Sequence, residues 1–479
     1  MSRGPVNPLV AIVGATGTGK SDLAVDIARR FDGEIINGDA MQLYQGLPII
    51  TNKVTEDEMK GIPHHLLGCI GLEEETWTVG KFVTKALGVI SEIRGRGKLP
   101  ILVGGTHYYT QSLLFQDALS DEPLLELKET DQAFPILDEP TDVILAKLKE
   151  VDPVMAERWH PNDRRKILRS LQIYLRTGKP ASQVYSEQRE KREASPTDSG
   201  TDHEISSRID RMRCPTLLLW VHASKDVLYP RLDARIMKMV DKGLLAEVNA
   251  LARFRKSHER QLGEALDQSR GIWVSIGYKE FLDYQTALEE GISDNKALER
   301  LKNLGVEKMQ AATRQYANRQ LRWIRIKLLN ALYGANAKES TFLLDGSDLG
   351  KWEENVLVPA RDITTKFLAG QLLPVPSDVS ILAGDMLSPK RDYDLAHRPD
   401  LWQKKVCDVC GTISVTENEW NQHIKSRGHR RTVAAENKRD AAPRKDFHQR
   451  KPQTHSSTDI IADGADIFGE NDRPNEEKM

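Results

Sequence analysis

A chain of 479 residues is longer than one hydrophobic core normally serves, so two or more folded parts are expected. Hydrophobic residues make up 39% and charged residues 29%, as in globular proteins; the longest apolar runs, Leu99 to Val103 and Leu217 to Val221, are strand-length and exclude a bilayer helix of roughly 20 residues. The net charge of -2 gives no global case for a nucleic-acid partner, so such a partner must be argued from local clusters.

Leu9 to Val13 is an apolar run that predicts a strand, and it leaves no room before it for a secretory or amphipathic leader. The next residues, Gly14-Ala15-Thr16-Gly17-Thr18-Gly19-Lys20-Ser21, fit G-x-x-x-x-G-K-S. Leu23, Ala24, Ile27, Ala28 and Phe31 then recur at helical spacing. This strand, loop and helix form a phosphate cradle: glycines let backbone N–H groups close on phosphate oxygens, Lys20 neutralises them, and Ser21 can ligate magnesium. The cradle alone does not say whether a phosphoryl group moves or a diphosphate leaves from carbon.

Glu34 to Ile36, Leu99 to Val103 and Leu217 to Val221 repeat the strand signal, with helical stretches such as Val79 to Arg94 between them. The expected fold is an α/β, P-loop NTPase-like parallel sheet covered on both faces. Asp39 follows the second strand, where open sheets bind ligands, and reads as a general base or equally as a turn aspartate. Gly104-Gly105-Thr106-His107-Tyr108-Tyr109 follows the next strand and borders the same crevice.

The first part of this core is assigned to residues 8–118 and the second to 212–334. Between them, 119–211 is charged and helix-like, a helical insertion whose stretch 187–203 favours a mobile loop. Arg164-Arg165-Lys166, Arg169 and Arg176 put several cations on one of its helices, suited to a phosphate backbone or to a solvated face. Residues 335–400 read as a connecting region, and 433–479 as a disordered tail. Lys438, Arg439, Arg444 and Lys445 in that tail are a nuclear signal or simply solvated charge.

The unit 401–432 carries Cys407-x2-Cys410-x12-His423-x5-His429, the spacing of a two-Cys, two-His structural zinc site. Lys425, Arg427, Arg430 and Arg431 make one face basic, suited to RNA or, alternatively, to a protein partner. Because Cys407 and Cys410 read as metal ligands rather than a disulfide framework, a reducing compartment, the cytosol, is expected, and Cys69 and Cys214, without partners at ligand spacing, read as buried thiols.

Taken in order, the phosphate loop, Asp39-Ala40-Met41-Gln42, Gly104-Gly105-Thr106, Arg164 to Leu171, Ser275 to Glu280 and Thr313 to Gln320 resemble the motifs of tRNA dimethylallyltransferases over about residues 8–330. The zinc unit points to the eukaryotic branch. The resemblance implies transfer of a dimethylallyl group from dimethylallyl diphosphate to N6 of the tRNA adenosine 3′ of the anticodon. It further implies Asp39 as general base, with Thr16, Lys20, Ser21, Arg235 and magnesium holding the diphosphate. Asp39, Ala40, Met41, Gln42, Thr106, Leu168, Arg169, Ser170, Leu171, Gln172, Tyr278 and Lys279 match positions expected to touch the tRNA anticodon stem-loop. Arg169-Ser170-Leu171-Gln172 stands where the family usually has Arg-Ala-Leu-Glu, and Asp39-Ala40 where it has Asp-Ser. A cytoplasmic monomer is implied, with mitochondrial and nuclear pools as further addresses. Two rivals stay open: a small-molecule kinase, which would consume ATP, and a non-enzymatic RNA-binding protein driven by the finger.

Overall fold

A computed structural model describes residues 4–115, 134–194, 212–263, 265–389 and 401–440. They divide into two compact units, one holding residues 4–115 and 212–389, the other 134–194 and 401–440.

The first unit is built on six parallel strands: β1 (Leu9–Val13), β2 (Gly33–Asn37), β3 (His64–His65), β4 (Leu99–Val103), β5 (Thr216–His222) and β6 (Thr341–Asp345). Their spatial order is β3-β2-β4-β1-β5-β6. Side chains alternate across a strand, so a sheet covered on both faces needs unbroken apolar runs. In β1, Leu9, Ala11 and Val13 enter one core cluster while Val10 and Ile12 enter the other. Leu218 and Trp220 divide from Leu217, Leu219 and Val221 in the same way on β5.

Residues 335–389 form more than a connection. They supply the edge strand β6 and the helix Val358–Leu368, whose Arg361 pairs with Asp26 of the helix Lys20–Arg30 at 2.6 Å. The long helix Asn295–Trp323 turns Gly305 inward together with Val306, Met309, Thr313, Ala317 and Gln320, the last five spaced at three or four residues.

The second unit combines the helices Thr141–Val151, Pro153–Arg158, Arg164–Thr177 and Ala181–Ala194 with β7 (Trp402–Val406), β8 (Ile413–Thr416) and the helices Glu417–Lys425 and Arg427–Asp440. Ile144, Leu148, Met155, Ile167, Leu171 and Ile173 form its helical core. Residues 187–194 lie in a helix, and residues 433–440 continue the Arg427–Asp440 helix. Residues 195–203 of the expected mobile loop, and the tail from 441 with Arg444 and Lys445, lie outside the described residues. Among the described residues no helix is long and apolar enough to cross a membrane.

Candidate active site and metal centre

The C-terminal ends of β1, β2 and β4 bring together the phosphate loop, Asp39 and the Gly104–Gly105 turn. Asn37, buried at the end of β2, fixes the turn that presents Asp39: its Oδ1 accepts from the Asp39 N–H at 3.0 Å and its Nδ2 donates to the Leu66 carbonyl at 2.8 Å. The Asp39 carboxylate accepts from Met41 N–H at 3.0 Å. Thr106 ties the two edge loops, its hydroxyl accepting from Ala40 N–H at 3.0 Å. A Cβ on Gly105 would lie 2.6 Å from Gln320 Nε2, 3.0 Å from Asp39 Oδ2 and 3.5 Å from the Tyr316 hydroxyl, so these three groups converge on that turn.

Around the phosphate loop, Arg235 donates to the Thr16 hydroxyl at 3.0 Å, and Gln320 Oε1 accepts from Thr16 N–H at 2.7 Å. Gln320 Nε2 and the Tyr316 hydroxyl both donate to the Gly105 carbonyl, at 2.8 and 3.3 Å. Lys20 donates to the Ala15 carbonyl at 2.6 Å. Thr18 is buried, with its hydroxyl on the same carbonyl, whereas Ser21 is exposed at the first turn of the helix.

Electrostatics follow from this packing. Burial pulls Lys20 down to about 8; the nearby Asp39 charge opposes the shift and Arg235 adds to it. Burial raises the Asp39 carboxyl, while Met41 N–H and Lys20 work against that rise. Tyr316 is held protonated by burial and by the Asp39 charge. His107 is driven down to about 3 by burial, then by Lys20, and is neutral; neither ring nitrogen has a hydrogen-bond partner among the described residues. A carboxylate, an ammonium and a guanidinium thus face one backbone cradle, suited to binding an anion and accepting a proton beside it.

Other sequence-selected residues stand apart from this cluster. Met41 and Gln42 are half-buried, and Gln42 Nε2 donates to the Asn52 carbonyl at 3.0 Å. Tyr278 is enclosed in the first unit's core against Trp273, so its ring serves packing, while Lys279 is exposed. In the second unit Ser170 and Leu171 face inward, the Ser170 hydroxyl accepting from Trp159 Nε1 at 2.9 Å, and Leu168 packs partly against the same core. Arg169 and Gln172 lie on the half-exposed side of that helix and hydrogen-bond at 3.3 Å. Residue-by-residue reading gave no role to Gln320, Tyr316 or Asn37. The only signal for the first two was their place in the Thr313 to Gln320 motif.

Cys407, Cys410, His423 and His429 put all four donor atoms within 4.8 Å of one another. Sulfur-to-nitrogen distances of 3.6 Å for Cys407–His429 and 3.2 Å for Cys410–His423 compare with about 3.6 Å for the edge of an S2N2 tetrahedron around zinc. Hydrogen bonding to the His429 ring lowers the Cys410 thiol, favouring the thiolate that a metal needs. Thr416 caps the helix carrying His423 by accepting from Glu419 N–H at 3.2 Å. The finger packs on the helices of its own unit. Trp402 meets Trp159 edge-on at 5.9 Å between centroids, and the Arg158 guanidinium lies 5.0 Å from the Trp159 ring and 4.8 Å from the Trp402 ring.

Known proteins agree with this arrangement. A family profile described as "IPP transferase" matches residues 42–327, and one described as "Isopentenyl transferase" matches 7–75. The chain is 37% identical to a tRNA dimethylallyltransferase of Schizosaccharomyces pombe, covering 91% of this chain and 96% of that one. It is 35% identical to a tRNA dimethylallyltransferase of Mus musculus, covering 88% and 85%. A solved structure of a eukaryotic dimethylallyltransferase acting on tRNA superposes with a TM-score of 0.70 at 31% identity, over 91% of this chain and 98% of that one. The phosphate loop, the carboxylate beside it, the Cys2His2 centre and these likenesses together mean that the chain belongs to the tRNA dimethylallyltransferase family, in its eukaryotic form.

Proposed function

We propose that this enzyme transfers the dimethylallyl group of dimethylallyl diphosphate to N6 of the tRNA adenosine 3′ of the anticodon. Asp39 beside the phosphate loop carries the reading: a carboxylate whose affinity for protons is raised by burial, adjoining a cradle with Lys20 and Arg235. The adenine amine attacks C1; the N6–C1 bond forms as the C1–O bond breaks, and the amine proton passes to Asp39. An exocyclic amine is a weak nucleophile, so orienting it and accepting its proton lower the barrier. The leaving diphosphate gathers negative charge that Lys20, Arg235 and the loop N–H groups stabilise. Arg235 Nε is buried without a hydrogen-bond partner among the described residues, which supports a role in holding an anion.

The exposed Ser21 hydroxyl fits one oxygen ligand of magnesium, which would otherwise keep diphosphate oxygens and water. Magnesium would neutralise diphosphate charge. Base capture requires the adenosine to leave its stack, and Ala40, Gln42 and Thr106 at the rim, Arg169 and Gln172 on their helix, and exposed Lys279 are the candidate tRNA contacts. The Cys407, Cys410, His423 and His429 site would hold structural zinc and so fold the basic finger for RNA binding.

The test is incubation with magnesium, labelled dimethylallyl diphosphate and unmodified tRNA, followed by nucleoside analysis. Label on adenine N6 is expected. Folded protein that transfers none, yet turns over ATP on small molecules, would replace this reading with a kinase.

A further inference from the structure

The phosphate loop has different neighbours on its two flanks. Toward β2 and β4 it faces Asp39, Gly105 and Gln320. Toward β5 and β6 it meets a wall made by residues 345–352. Gly346 N–H donates to the His222 carbonyl at 2.7 Å, Arg231 donates to the Gly346 carbonyl at 2.9 Å and the Ser347 carbonyl at 2.5 Å, and the Ser347 hydroxyl accepts from Ser224 N–H at 2.9 Å. Trp352 completes the wall. A Cβ on Gly19, a loop residue at φ 89°, would lie 2.3 Å from the edge of the Trp352 indole, and a Cβ on Gly346 2.8 Å from the same ring. The indole therefore rests directly on the loop backbone. It packs against the apolar cluster on one face of the sheet.

We infer that Trp352 is a specificity-determining residue: it closes the β5–β6 flank of the phosphate loop, so an organic diphosphate is held with its carbon chain toward Asp39 and a nucleoside diphosphate is refused. A diphosphate seated in the loop can extend its organic group over either flank. An allyl chain is slender and must reach Asp39 to react, whereas a ribose and base leaving over Gly19 would overlap the indole. A phosphate-loop protein meets nucleotides in large excess over allylic diphosphates, and steric exclusion rejects them without weakening the cradle. This rests on the transferase reading and gives residues 345–352 a task in it.

The experiment uses the full chain and measures inhibition of dimethylallyl transfer to tRNA by ADP and by inorganic diphosphate. For the wild type, diphosphate is expected to compete with the donor and ADP to compete about a hundredfold more weakly. Trp352→Ala should bind ADP about tenfold more tightly than wild type does, with the inhibition constant of diphosphate nearly unchanged. Trp352→Leu, which keeps an apolar side chain on the cluster but removes the outer ring, should move in the same direction, and serves if the alanine variant does not fold. ADP inhibiting the wild type as strongly as diphosphate does, or ADP inhibition unmoved in a folded variant, overturns the inference. Absence of transfer by the wild type would instead remove the transferase reading itself.

Discussion

Gln320 and Thr16 are 304 residues apart in the chain and joined by a 2.7 Å hydrogen bond, the Thr16 N–H donating to Gln320 Oε1. The other end of the same amide donates to the Gly105 carbonyl, so one side chain braces the phosphate loop against the turn beside Asp39. Only a group with a donor and an acceptor at opposite corners does both. Gln320→Ala should strip the Thr16 N–H of its partner, leave the Gly105 carbonyl only the longer bond from the Tyr316 hydroxyl, and cost about 1–3 kcal/mol, read as a lowered Tm. Gln320→Glu should also put an anion against the cradle and lower kcat/KM for the donor by about a hundredfold. Wild-type donor kinetics in a folded Gln320→Glu protein would show that this brace is dispensable.

Asp39→Asn keeps an oxygen for the Met41 N–H but removes the proton acceptor. Turnover should fall by about 10²–10⁴ while tRNA binding by filter retention holds. The folded-state carboxyl binds its proton more tightly than the unfolded one, so stability falls as pH rises from the ordinary carboxylate value through the raised one. At neutral pH the Asp39 charge is therefore a net destabiliser, and Asp39→Asn should melt no lower than the wild type. A sharply lowered Tm would assign Asp39 to the fold instead. With the wild type, turnover should decline on acidification at a pH above the usual carboxylate range.

Lys20 gives the opposite limb. Its ammonium is lowered to about 8 by burial, so in the free enzyme its charge is lost near pH 8 rather than above 10. The donor kcat/KM, which reports the free enzyme, should fall with an inflection near that pH, and Lys20→Met should lose both that limb and most of its donor affinity. Unfolded chains bind this proton more tightly, so stability attributable to Lys20 increases between about 8 and the ordinary lysine value as pH rises. An alkaline limb that persists unchanged in Lys20→Met would belong to another group.

How much of this could be read from sequence depended on the range of the interaction. The strands β1, β4 and β5 were legible because a doubly covered parallel sheet demands continuous apolar runs, and the phosphate loop because its residue spacing is itself the binding geometry. Strand β6 was not, because Thr341–Asp345 is embedded in Gly, Asp, Ser and Pro and its pairing with β5 is set by tertiary contact. Gln320 and Trp352 act on residues about 300 positions away, which no local pattern reveals. Tyr278 illustrates the converse: an aromatic in a motif reads alike in core and at surface, and only the fold places this ring in the interior.

The finger separates metal binding from placement, and two substitutions divide them. Cys407→Ser removes a zinc ligand, so the finger should unfold, zinc should be lost, and the tRNA Michaelis constant should rise while the melting of the sheet core stays put. Trp402 binds no metal; it holds the finger to the helix Pro153–Arg158 through Trp159 and the Arg158 guanidinium between them. Edge-on aromatic and cation–π contacts of this kind contribute about 1–2 kcal/mol. Trp402→Ala should therefore retain stoichiometric zinc yet raise the tRNA Michaelis constant about fivefold, because a finger loose on its seat loses orientation before it meets RNA. Cys407→Ser added to Trp402→Ala should then cost less than the two single effects multiplied, since the second loss removes a finger already mispositioned. Fully multiplicative effects would mean that the finger grips tRNA independently of the seat it has on the helices.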